Sequence, residues 1–122
     1  MEQFDLTGKT ALISGASRGI GAALAQAYAA AGANVVLTSR KQAGLDAVAA
    51  EIREAGGTAL PIAAHSGDSA AISAAIAQGT DKFGGIDILV NNAARAIGGV
   101  VDEIDEASWT EVIDTNLNSV WR

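Results

Sequence analysis

Three glycines stand close together in the run Ser14-Gly15-Ala16-Ser17-Arg18-Gly19-Ile20-Gly21, where an apolar stretch passes into an alanine-rich one. A glycine turn that opens a helix aims unpaired backbone N–H groups and the positive end of the helix dipole at one point, which suits a diphosphate. Side chains at Gly15, Gly19 and Gly21 would crowd that approach. No Lys-Ser or Lys-Thr pair follows, so the loop is not of the P-loop type. The same turn could also join strand to helix and bind nothing. Other chemistry has little material. The absence of cysteine excludes a disulfide, a thiolate zinc site and a cysteine nucleophile, one histidine, His65, leaves little for a histidine-based metal centre, and no metal is expected. The one tyrosine, Tyr28, has no lysine four residues on and reads as core or helix surface. The acidic run Asp102, Glu103, Asp105 and Glu106 reads as a solvated helix start rather than a catalytic pair.

The turn needs a framework, and the chain supplies an alternating one. Short apolar runs at 10–14, 34–38, 58–63 and 86–90 lack polar alternation, as strands covered on both faces do. Alanine-rich segments at 21–33, 42–55 and 69–77 favour helices between them. Gly32, Gly56-Gly57 and Gly84-Gly85 fall where those helices should stop. Strict alternation with short connections predicts an α/β fold: a Rossmann-like, doubly wound parallel sheet with right-handed crossovers and helices on both faces. Pro61 lies within the third run and removes a ladder donor, so that strand belongs at an edge, in agreement with strand order 3-2-1-4. Asp68 is placed to cap the third helix. From 107 to 122, Trp109, Val112, Ile113, Leu117, Val120 and Trp121 recur at helical spacing with no stop signal. An apolar fourth strand would leave its outer edge unpaired. Both features predict an unfinished unit, whose missing partner is a following segment, a second copy, or solvent at the risk of aggregation, and a homo-oligomer contact is expected at the fourth-strand edge or along the last helix.

The glycine run resembles the TGxxxGIG motif of the short-chain dehydrogenase/reductase family, with Ser14 where threonine is usual. Asn91-Asn92-Ala93-Ala94 resembles that family's NNAG, with alanine in the glycine place, and Asp114-Thr115-Asn116-Leu117-Asn118-Ser119-Val120 resembles the helix that carries its asparagine. The resemblance spans residues 6–122 and matches about the N-terminal half of a family member. It implies a single, partial NAD(P)-binding domain over residues 1–122. It implies that Gly15, Ser17, Arg18, Gly19, Ile20 and Gly21 hold the pyrophosphate, and that the segment of Asn92, Ala93 and Ala94 lies on the nicotinamide side. His65 and Ser66 are placed beside the adenine; a loop histidine without a ligand role is the other reading. Asn116 matches the asparagine of the catalytic set, and could otherwise be a helix-bend residue. The family's Ser and Tyr-x-x-x-Lys would fall beyond Arg122.

An NAD-preferring site places an acid at the end of the second strand to hold the ribose 2′-hydroxyl. Here that place reads Thr38-Ser39-Arg40-Lys41. With no carboxylate available, Arg40 can present its planar fork to a 2′-phosphate, with Arg18 on the other side and Lys41 adjacent, which favours NADP(H) over NAD(H). The alternative is that Arg40 and Lys41 are the solvated start of the second helix. The 122 residues carry 14 acidic and 8 basic side chains, a net charge of −6, so nucleic acid and anionic lipid are improbable partners. No signal-peptide pattern and no membrane-length apolar run is present, and the expected location is cytoplasmic. Three readings follow. One is an NADP(H)-dependent oxidoreductase acting on a ketone or secondary alcohol, represented by its cofactor-binding half. The others are a catalytically inactive dinucleotide-binding module, and an assembly-competent α/β fragment without ligand.

Overall fold

The computed structural model describes residues 2–122. Four parallel strands, β1 (Thr10–Ser14), β2 (Asn34–Ser39), β3 (Thr58–Ala63) and β4 (Ile88–Val90), form one sheet in the order β3-β2-β1-β4. Helices α1 (Gly19–Ala30), α2 (Gln42–Glu54) and α3 (Ser69–Phe83) make the crossovers. The expected Rossmann-like order is the one observed. Alternate residues of β1 and β2 feed two cores. Ala11, Ile13, Val35 and Leu37 pack with Ala25, Ala29, Leu45 and Ile52 of α1 and α2, while Leu12 and Val36 pack with Ala75 of α3 on the opposite face. Each fully buried aliphatic side chain, such as Ile13, Leu37 or Leu45, contributes roughly 1.5–3 kcal/mol. Tyr28 is half-buried against the first core.

Small residues set how closely the helices sit on the sheet. A Cβ on Gly79 would come 3.0 Å from Val36 Cγ2, so α3 lies tight against β2. That helix continues through Gly79 to Phe83, past the alanine-rich stretch, because Gly84 adopts a left-handed φ of 87° and ends it there. Asp68 caps its start by accepting from Ala71 N. The fourth strand is shorter than its apolar run predicts. Asp87 N donates to Thr10 O, while its carboxylate accepts from Thr10 N at 2.9 Å in place of a backbone carbonyl, so Asp87 is the entry to the ladder and β4 begins at Ile88.

The sheet's two edges differ. Pro61 does fall on an edge strand, and the outward backbone of β3 is sealed by α2: Arg53 donates to Ala59 O, and Gln42 both donates to Pro61 O and accepts from Ala63 N. Among the described residues, no strand pairs with the outer side of β4. The last helical region is α4 (Glu106–Ile113), a π-helical turn (Asp114–Asn118) and the short α5 (Ser119–Trp121). Asp105 caps α4 by accepting from Ser108 N, a bond that holds its carboxyl below the usual carboxylate range. Val112 and Ile113 are half-buried, but four apolar positions of this region remain uncovered: Trp109, Leu117, Val120 and Trp121 are all exposed, the last to 88%.

Candidate functional site

The C-terminal ends of β1, β2 and β3 and the segment after β4 open onto a groove of about 930 Å³. It lies where the chain order reverses, between strands connected in opposite directions from β1, which is the usual ligand position in open parallel sheets. The glycine turn forms its floor. Gly15 has φ +64° and Gly19 φ +56°, a backbone that side chains rarely adopt. The three glycines have different tasks. A Cβ on Gly21 would lie 2.1 Å from Gly15 O, so this glycine lets α1 approach the turn. A Cβ on Gly15 would meet Asn92 Nδ2 at 2.9 Å, so it makes room for the β4 segment. Only Gly19 faces open space. Crowding of a ligand therefore applies at Gly19, whereas Gly15 and Gly21 are small for internal packing. Arg18, the N-cap of α1, makes no side-chain cap bond, which leaves the first-turn N–H groups of α1 open to an anion.

Beneath the turn is a polar brace. The Ser14 hydroxyl accepts from Asn92 N at 3.1 Å and from Ala93 N at 3.0 Å, and the Asn92 amide donates to Ser14 O and Gly15 O. Asn92 thus lines the groove while its side chain fastens β4 to the glycine turn. On the second strand's side, Arg40 and Lys41 are exposed on the groove wall beside Ser17 and Gly44. A Cβ on Gly44 would come 3.1 Å from Ser17 Cβ, so α2 begins in contact with the glycine loop. His65 and Ser66 line the wall after β3, and His65 Nδ1 accepts from Gly67 N at 2.8 Å, which puts the proton of a neutral ring on Nε2.

Asn116 sits in the π turn, just outside the lining, and clamps the opposite end of the groove. Its Oδ1 accepts from Arg95 N and its Nδ2 donates to Arg95 O, both at 2.8 Å. A π turn of this kind redirects a side chain that a regular helix would send elsewhere. Nearby, Asp114 accepts from Arg122 at 2.7 Å and from Asn118; those bonds hold its carboxyl below the usual range and raise the Arg122 guanidinium. Arg122 also donates to Gly67 O, tying α5 to the His65 loop.

The groove therefore gathers Gly15, Ser17, Arg18, Gly19, Ile20, Arg40, Lys41, His65, Ser66, Asn92, Ala93 and Ala94; Gly21 is buried behind it. Sequence reasoning passed over Arg95 and Thr115, which also line it. The signal was available for Arg95, a cation directly after the Asn91–Ala94 segment at the end of β4.

Fold and groove together define a Rossmann-like α/β protein with a candidate ligand groove at the carboxyl ends of the strands. The model of the short chain dehydrogenase family matches residues 9–122, and the chain belongs to that family. It is 39% identical over 119 residues to the 3-oxoacyl-[acyl-carrier-protein] reductase FabG of Vibrio cholerae, covering 97% of this chain and 47% of that one. It is 37% identical over 118 residues to 3beta-hydroxysteroid dehydrogenase 1 of Eggerthella lenta, covering 96% and 45%. Among solved structures, a short-chain type dehydrogenase/reductase from Mycobacterium marinum superposes with a TM-score of 0.94 at 40% identity, covering 98% and 49%. A metagenomic short-chain oxidoreductase in complex with NADP gives a TM-score of 0.92 at 41% identity, covering 96% and 53%. The chain spans about half the length of the relatives it matches. Among the described residues, no helix is long and apolar enough to cross a membrane.

Proposed function

We propose that the chain is the cofactor-binding half of an NADP(H)-dependent short-chain oxidoreductase that reduces a ketone or oxidises a secondary alcohol. One observation carries the choice of cofactor. In a protein with 14 carboxylates and 8 cationic side chains, the glycine-turn and β2 side of the groove is lined by Arg18, Arg40 and Lys41, and the groove by no Asp or Glu among the described residues. Such a trough attracts a polyanionic ligand against the net charge of the whole molecule. The residues present fit the dinucleotide: the uncapped first turn of α1 and the open space over Gly19 form a cradle for its pyrophosphate. Arg40 offers a fork to the 2′-phosphate, and Lys41 adds charge beside it. His65 and Ser66 border the adenine, and Ile20, Ala93 and Ala94 present apolar surface toward the nicotinamide end. Bound NADPH supplies the hydride. Asn116 keeps the Arg95 backbone in place at that end, and Asn92 and Ser14 hold the β4 segment against the turn. The partner is a nicotinamide dinucleotide, the setting cytoplasmic, and the unit a single domain.

The test is titration of the purified chain with NADPH and NADH by calorimetry, with Arg40→Ala beside the wild type. Loss of a charge-assisted fork should weaken NADPH by roughly ten- to a hundred-fold and leave NADH nearly unchanged. Equal losses for both coenzymes would falsify the assignment of Arg40, and absence of heat with either would remove the binding function.

A further inference from the structure

Arg95 is the one cation of the groove that the dinucleotide reading leaves without a task. Its backbone is held at both N and O by Asn116, so the residue is positioned rather than trailing. Its guanidinium makes no hydrogen bond among the described residues: Nε lies 3.3 Å from Glu111 Oε1, is buried, and lacks an aligned acceptor. A guanidinium has five N–H donors; with the side chain 39% exposed, the two terminal nitrogens are open to solvent, where an anion can replace water. Topology separates it from Arg40. β2 and β4 flank β1 on opposite sides, so the loops that follow them lie about 10 Å apart, two strand spacings. Strand ends that far apart let the two loops meet different groups of an extended ligand. With the pyrophosphate over the α1 terminus and the 2′-phosphate at Arg40, an anion at Arg95 would belong to the molecule that meets the far end of the coenzyme.

We propose that Arg95 is an oxyanion subsite that selects a small carbonyl substrate bearing a carboxylate or phosphate group. The two terminal nitrogens take the oxyanion while Glu111 keeps the Nε side and fixes the plane of the guanidinium. Glu111 also competes with an incoming anion, which sets a modest affinity. The proposal deepens the oxidoreductase reading and rests on it for the orientation of the coenzyme.

The experiment uses the 122-residue chain at low salt, alone and saturated with NADPH, titrated with acetoacetate, dihydroxyacetone phosphate and acetone while the Arg95 Nε–H resonance is followed. Acetoacetate, dihydroxyacetone phosphate or both should bind and shift that resonance; which of them binds distinguishes a carboxylate from a phosphate, and acetone should leave it unmoved. Arg95→Ala should weaken oxyanion binding by about tenfold or more, whereas NADPH affinity stays within about twofold because the sites are well separated. Glu111→Gln should strengthen oxyanion binding several-fold, an effect that a purely structural role for the pair does not produce. Arg40→Ala should do the reverse of Arg95→Ala, weakening NADPH and sparing the small anion. No binding of either anion, unchanged binding in Arg95→Ala, or a loss of NADPH in Arg95→Ala as large as in Arg40→Ala overturns the proposal. Should Arg95→Ala not fold, Arg95→Lys and Glu111→Gln carry the test, and failure of Glu111→Gln to strengthen binding counts against it. If the wild type ignores NADPH yet binds an oxyanion through Arg95, the coenzyme reading fails and the subsite stands.

Discussion

At the scale of single residues, the groove depends on which atoms each glycine must avoid. Gly21→Ala drives a methyl group into Gly15 O, backbone against backbone, where neither side yields cheaply. Strain of that kind costs about 1–3 kcal/mol, so the urea midpoint of Gly21→Ala should fall well below the wild type's. Gly19→Ala meets no atom and carries only its left-handed backbone, about 1–2 kcal/mol. Its larger effect should be on the coenzyme, which must pass close above it. Measured side by side, Gly21→Ala should lose stability first and Gly19→Ala affinity first; the opposite ranking would contradict the division of tasks. The glycine spacing was legible in the sequence, but this division was not. For Gly15 it arises from contacts with Asn92 and Ala93, more than 70 positions away, a distance at which no local pattern encodes a partner; for Gly21 it arises from the Gly15 carbonyl, whose direction only the folded turn sets. The same holds for Ser14, whose hydroxyl proves to be the fastening of β4 rather than a slight variant of a motif.

Among the elements, strand order and both faces of helices followed from alternation and from one proline, because parallel sheets leave few topologies open. Boundaries followed less well. The start of β4 is decided by the Asp87 carboxylate, and the last helix is interrupted by a π turn that apolar spacing cannot reveal. Caps were readable. Asp68→Ala should destabilise the protein by about 1 kcal/mol, seen as a lower thermal midpoint, and Asp68→Asn should restore most of it. Asp114 links α5 to the His65 loop through Arg122. Its folded pKa lies below the ordinary 3.8, so its contribution is present above that value and is lost as pH falls through the folded one. Between about pH 5 and pH 2 the wild type should therefore lose stability more steeply than Asp114→Asn. Parallel acid limbs would show that the pair contributes nothing to folding.

On the scale of the whole molecule, the sheet has one sealed margin and one open margin. Gln42, Arg53 and Pro61 deny any newcomer the backbone of β3, while β4 and the exposed Trp109, Leu117 and Trp121 offer it. Self-association through β4 can then occur only like against like, with two copies related by a twofold axis and their outer margins already closed. Such a pair would have no open margin left on which to grow. Sedimentation of the 122-residue chain should show a monomer–dimer equilibrium that reaches a plateau with concentration, and a ladder of larger species would refute it. Replacing Gln42 and Arg53 together by alanine should remove the stopper and turn a finite pair into a propagating ribbon.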